Sequence, residues 1–179
     1  MEQKKDWVKD LIVYQVYPRS FQDSNGDGIG DIPGILSRLD HLSALGINAL
    51  WLSPVFRSPN DDNGYDISGY REIMDEFGTM EDWDALCAEC HKRGIKVIMD
   101  LVVNHSSDEH PWFLESKTSR DNPKATTTFG ATRKTARSRT TGPPFLAAAR
   151  GNLYRSAGSY YYHLFSKKQP TLTGQTRAA

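Results

Sequence analysis

Acidic residues stop at Asp121. All 22 carboxylates lie in residues 1–121 with 12 of the 22 basic residues, giving that stretch a net charge of −10. Residues 122–179 hold the other 10 basic residues and no acid, a net +10 that the zero total conceals. Cysteine is scarce too: Cys87 and Cys90, spaced CAEC, are the only two. They cannot supply the roughly four ligands of a structural zinc site or a disulfide framework, and read as two reduced thiols on one helix. Long apolar runs are missing. Nothing approaches the ~18 residues of a membrane span, and the charged opening MEQKKDWVKD lacks the apolar core of a secretory signal. The expectation is a cytoplasmic protein with no membrane partner, and 38% hydrophobic with 25% charged residues suits a globular one.

What is present alternates between strand-like and helix-like text. Residues 11–17 (LIVYQVY), 47–55 (INALWLSPV) and 96–103 (KVIMDLVV) are apolar and β-branched, as buried parallel strands are. Between the first two, Pro33 opens a helix carrying Ile35, Leu39, Leu42 and Leu45 at helical spacing and closing at Gly46. Between the last two, Thr79 with Asp82 forms a capping-box pattern before Trp83, Leu86, Cys90 and His91, and Gly94 ends that helix. Strand–helix–strand–helix–strand implies βαβ units in a parallel α/β sheet. Periodicity leaves a (β/α)8 barrel and a doubly wound sheet equally open. From Ala125 to residue 159 no helical or strand period remains; YYYHLFSKKQP at 160–170 is strand-like again, before a polar tail.

Three groups of residues could carry chemistry. Asp23, Asn25, Asp27 and Asp31 place oxygens at alternate positions around Gly28, with the Ile29 carbonyl between them, as a loop wrapping a hard cation does. Gly34 stands where an EF-hand has its glutamate, so this is no EF-hand, and a plain Asx/Gly turn is the alternative. Asp100, Asn104 and His105 follow the third strand, at the end of the sheet where ligands bind in α/β folds. Asp100, inside apolar text, needs a partner. His105 can donate to a polar ligand or merely satisfy its own loop. Asp61, Asp62, Tyr65 and Asp66 follow the second strand, where an aromatic face beside carboxylates suits a sugar.

Taken together, VYQVYPRSFQDSNGDGIGDIPGI, LWLSPVFRSPNDDNGYDISGY, EFGTMEDWD and KVIMDLVVNHSSDEHPWF resemble the opening of glycoside hydrolase family 13, within it the bacterial oligo-1,6-glucosidases. The likeness runs from about residue 6 to 124. It implies the first three βα units of a (β/α)8 TIM barrel over residues 1–105 and part of an inserted domain B over 106–179. It implies calcium at Asp23, Asn25, Asp27, Ile29 and Asp31, and a glucose pocket at Asp62, Tyr65 and His105 supported by Asp100 and Asn104. The family's reaction is retaining, with one carboxylate attacking and another acting as acid and then base. Both come from later strands, beyond residue 179, so no catalytic residue transfers to this chain. The implied enzyme removes α-1,6- or α-1,4-linked glucose from short oligosaccharides, a monomer at full length, with trehalose-6-phosphate hydrolase a neighbouring possibility.

The basic half has two readings. One is a nucleic-acid arm, although few aromatics interleave the charges of residues 122–159. The other is a shift of reading frame. ATTTFGAT at 125–132 can be encoded by codons (GCG ACT ACT ACA TTT GGC GCG AC) that, read one base earlier after a C, give the family string RDYYIWRD, and TLTGQTRA at 171–178 allows a similar shift. On that reading, which we favour, residues 125–159 and 171–179 are scrambled family text, the missing acids are a by-product of frame, and no nucleic acid is bound. The polypeptide is then a non-catalytic remnant with a calcium loop and part of a sugar pocket. Its open sheet edges make it prone to aggregate.

Overall fold

The computed structural model describes residues 7–119, 122, 150–154 and 159–172. Most of the stretch read as frame-shifted, 125–149 and 155–158, and the tail 173–179 lie outside the described residues. The chain forms two compact units, Met1–Arg57 with Arg71–Leu101, and Ser58–Tyr70 with Val102–Ala179. The division differs from the expected boundary at residue 105 because Ser58–Tyr70 is bonded into the second unit. Tyr70 Oη faces the carbonyls of Val102 and His105, each at 2.9 Å, and Ser107 N donates to Ile67 O at 2.8 Å.

The first unit is built on strands β1 (Val13–Val16), β2 (Ala49–Leu52) and β5 (Lys96–Met99), parallel and ordered β1-β2-β5. Val13 pairs with Ala49, and Ala49 with Lys96. Between β2 and β5 lies a two-stranded ribbon of β3 (Phe56–Arg57) and β4 (Gly69–Ile73). All three parallel strands are shorter than their apolar text. The third ends at Met99, leaving Leu101 83% and Val103 58% exposed. β1 is an outer strand with Val13 and Tyr14 exposed and only Val16 fully buried, which corrects the expectation of a strand covered on both faces.

The helix expected from Pro33 is two helices, α1 (Ile32–Ser37) and α2 (Leu39–Ala44). Arg38 leaves helical geometry at φ −105° and ψ 3°, where Ser37 Oγ has turned back to donate to Gly34 O at 2.7 Å. Such back-bonding bends helices. The break keeps Ile35, Leu39 and Leu42 in the core but leaves Leu45 exposed.

The capping box of α3 (Met80–Lys92) is formed as its spacing predicts. Leu86 and Cys90 are buried, whereas His91 is exposed and not on the inner face as expected. Burial pushes the Cys90 thiol up to about 11, so it is an inert apolar filler at neutral pH. Val16, Ile32, Leu50, Leu52, Phe77 and Ile95 complete the core, each aliphatic or aromatic side chain contributing about 1.5–3 kcal/mol by leaving water.

The second unit holds α4 (Pro111–Ser116) and an antiparallel hairpin of β6 (Arg150–Tyr154) and β7 (Ser159–His163), with Arg150 opposite His163. A strand forms at Arg150–Tyr154 although residues 125–159 carry no strand period. In a hairpin the partner strand supplies the pairing, and a β-rich partner such as SYYYH can recruit a segment with little alternation of its own. Buried Phe113 meets Tyr161 edge-on at 5.1 Å.

Candidate functional site: a cation-type loop and a carboxylate–imidazole cluster

In the loop at 23–31, short side chains organise their own backbone. Asp23 Oδ1 accepts N–H from Asn25 (3.0 Å) and Gly26 (2.7 Å), and Oδ2 accepts from Gly28 (2.8 Å). Asn25 Oδ1 accepts from Asp27 N, and Asp27 Oδ1 from Ile29 N. Gly26 and Gly28 turn the chain at φ +86° and +88°. The N–H groups of Gly26 and Gly28 hold the Asp23 carboxyl below its usual range. Asp31 is buried and doubly employed. Its Oδ1 caps α1 through Gly34 N at 2.6 Å, while Oδ2 accepts from Ser24 N and Oγ. Among the described residues no three His, Cys, Asp or Glu side chains converge as a metal cluster.

The loop at 58–66 is organised by Asp66, whose carboxylate is completely buried. Oδ1 accepts from Ser58 Oγ and Asp62 N, both at 3.0 Å, and Oδ2 from Asp61 N at 2.9 Å. Asn60 and Asn63 take positive φ, which asparagine tolerates better than most residues. The coil presents Asp61 and Asp62 to the segment 166–172. There Lys168 Nζ meets both oxygens of Asp61 at 2.8 Å, and Gln169 Nε2 donates to Asp62 Oδ2 at 2.7 Å.

His105, 6% exposed, stands beside them. Its Nε2 lies between the Tyr65 carbonyl (3.0 Å) and Gln169 Nε2 (3.1 Å); its Nδ1 is 3.1 Å from Asn104 Nδ2, and Phe165 packs on the ring at 5.1 Å. A neutral ring nitrogen can donate to the first or accept from the second, but not both. Asn104 and Tyr65 favour the proton on Nε2; Gln169 opposes it. Burial lowers the imidazole from its usual range, opposed by the Tyr65 carbonyl and by Asp62 and Asp66. The ring is therefore neutral at pH 7.

The structure thus brings Asp62, Tyr65, Asn104 and His105 together within the second unit. Asp100 belongs to the first unit, where its Oδ1 accepts from Trp51 Nε1 at 2.7 Å, the partner its place in apolar text demanded. Sequence reasoning assigned no role to Gln169, 1% exposed, or to Asp66 beyond its loop. No signal in the sequence marked Gln169, because its burial and its partners arise only on folding.

Residues 15–178 match the α-amylase catalytic-domain family. The chain is 57% identical over 166 residues to the oligo-1,6-glucosidase of Parageobacillus thermoglucosidasius, covering 93% of this chain and 30% of that enzyme. It is 58% identical over 166 residues to the oligo-1,6-glucosidase of Halalkalibacterium halodurans, with the same coverage. Among solved structures, MutB, a trehalulose synthase from Pseudomonas mesoacidophila, in its mutant complex with glucose superimposes with a TM-score of 0.87 at 48% identity, over 95% of this chain and 31% of MutB. The chain therefore spans about a third of the length of the relatives it matches. With the family model matched over most of its length and its parallel βαβ sheet lying within a barrel enzyme's fold, the chain belongs to glycoside hydrolase family 13, the α-amylase superfamily, as part of a (β/α)8 barrel.

Proposed function

We propose that this chain is the N-terminal portion of an oligo-1,6-glucosidase-like enzyme of carbohydrate metabolism. The whole enzyme removes terminal α-1,6- or α-1,4-linked glucose from short oligosaccharides with retention. The observation carrying this reading is the cluster of Asp62, Tyr65 and His105, tied by Gln169 and Asn104. A carboxylate and an imidazole suit the hydroxyls of a glucose unit, and an aromatic residue beside them, Tyr65, which joins the cluster through its backbone carbonyl, is of the type that suits the sugar's apolar face. The attacking carboxylate and the acid/base carboxylate come from sequence beyond residue 179, so these 179 residues bind sugar and do not cleave it. Sequencing the gene through and past codon 179 tests the frame reading, and family text in one uninterrupted frame would support it. Codons for 125–159 whose shifted frame spells no family peptide would sink it. Assaying the 179-residue chain on p-nitrophenyl α-glucoside tests the rest, and turnover by this chain would overturn it.

We further propose a structural calcium ion at the loop of Asp23, Asn25, Asp27, Ile29 and Asp31. The donor set, three carboxylates, an amide oxygen and a carbonyl, is of the hard-oxygen kind calcium takes. An oxygen that accepts one N–H keeps a second lone pair for a cation. Asp23 and Asp31 have the least to offer, because each already accepts three hydrogen bonds across its two oxygens. Calcium would supply charge neutralisation of the loop and no chemistry.

A further inference from the structure

We infer that Gln169 is a positioning residue of the sugar site, its side-chain amide holding the Asp62 carboxylate and the His105 imidazole in one arrangement. The inference rests on the sugar-site reading above and deepens it.

Gln169 is fully buried, and its amide orientation is settled by its neighbours. Oε1 accepts the N–H of Ser166 at 3.0 Å, so the Nε2 end must face the other way, toward Asp62 Oδ2 (2.7 Å) and His105 Nε2 (3.1 Å). The backbone around it is pinned to the segment that carries the histidine. Ser106 N donates to Pro170 O, Asp108 N to Lys168 O, and Leu172 N to Asn104 O, while Thr171 bridges His105. The adjacent Lys168 pairs with Asp61, so consecutive residues on one segment meet consecutive residues on the other.

The choice of amide is chemical as well as spatial. A lysine in this place would neutralise Asp62, and a glutamate would repel it. Glutamine reaches the carboxylate, donates to it and leaves its charge for sugar hydroxyls. Its second N–H faces the ring nitrogen that Tyr65 O claims from the other side, so it also bears on where the His105 proton resides.

The test uses the 179-residue chain labelled with 15N-histidine, alone and with D-glucose, as wild type, Gln169→Glu and Gln169→Met. Gln169→Glu keeps the shape but sets a carboxylate against both partners. It moves the midpoint of the His105 ring titration up by about one pH unit or more and weakens D-glucose binding at least about tenfold. Gln169→Met keeps the volume without the donors and also weakens D-glucose binding about tenfold. An unmoved His105 titration in Gln169→Glu would overturn the inference. So would wild-type glucose affinity in Gln169→Met, since residue 169 would then only fill space. The titration contains no sugar, so a shifted midpoint in a chain that never binds D-glucose would uphold the positioning while defeating the sugar-site reading.

Discussion

The imidazole Nε2 of His105 lies 3.0 Å from the carbonyl oxygen of Tyr65, 40 residues earlier in the chain. The bond fastens the loop at 58–66 to the segment after β5 inside one compact unit. It also puts a buried, neutral titratable group where a polar ligand would meet it.

That burial has a pH signature. The His105 pKa is lowered from 6.5, chiefly by desolvation, so between 6.5 and the lowered value the unfolded chain binds a proton that the folded chain refuses. The neutral ring costs no stability above pH 6.5. Below it, stability falls as pH drops, at up to about 1.4 kcal/mol per pH unit, until the folded pKa is reached. Urea unfolding at pH 7.5 and pH 5.0, on wild type and His105→Gln, checks this. Wild type should lose more stability on acidification than the variant, and equal losses would refute the argument.

Asp66 should be costly to replace. Asp66→Ala strips partners from the N–H groups of Asp61 and Asp62 in a partly buried coil, while the Ser58 hydroxyl keeps the backbone carbonyl of residue 66. At about 1–3 kcal/mol for each group left unsatisfied, the loss should reach about 2 kcal/mol or more. Asp66→Asn, which keeps one acceptor, should lose less. Denaturant midpoints measure both, and a neutral alanine variant would show that this carboxylate does not organise the loop.

Two glycines, Gly26 in the loop at 23–31 and Gly34 in α1 that follows it, should rank in a fixed order. A Cβ on Gly34 would fall 1.9 Å from the Gln22 carbonyl oxygen, so the backbone must move. Gly34→Ala should therefore cost about 3 kcal/mol, the upper end of overpacking. At Gly26 nothing lies within 4 Å, and only φ +86° resists a side chain. Gly26→Ala should cost about 1 kcal/mol. Thermal unfolding of the two variants gives the order, and its reversal would discredit the close approach at Gly34.

The calcium proposal predicts a shift in melting. Adding Ca2+ at 100 times its dissociation constant to EDTA-treated chain should stabilise it by about 2.7 kcal/mol, an increment that Asp27→Ala diminishes. Mg2+ should do less, because it demands near-octahedral geometry and gives up water reluctantly. Melting curves that ignore Ca2+ would leave the loop as an Asx/Gly turn.

Much of this protein was legible along the chain. The capping box of Thr79 and Asp82, the turn after Asp23 and the parallel strands at 13, 49 and 96 depend on residues within a few positions of one another. Helical and strand periods, with side chains bonding their own backbone, are written in neighbouring letters. Other features depend on residues that meet only after folding. The exposure of Leu101 contradicts its apolar text, because burial is set by what packs alongside. The strand at Arg150–Tyr154 owes its order to pairing with Ser159–His163, a property of the pair. Gln169 was one polar letter until the chain brought it against Asp62, 107 residues away. Composition and period carry no record of so distant a partner, whereas hydrogen bonding in a buried site requires one.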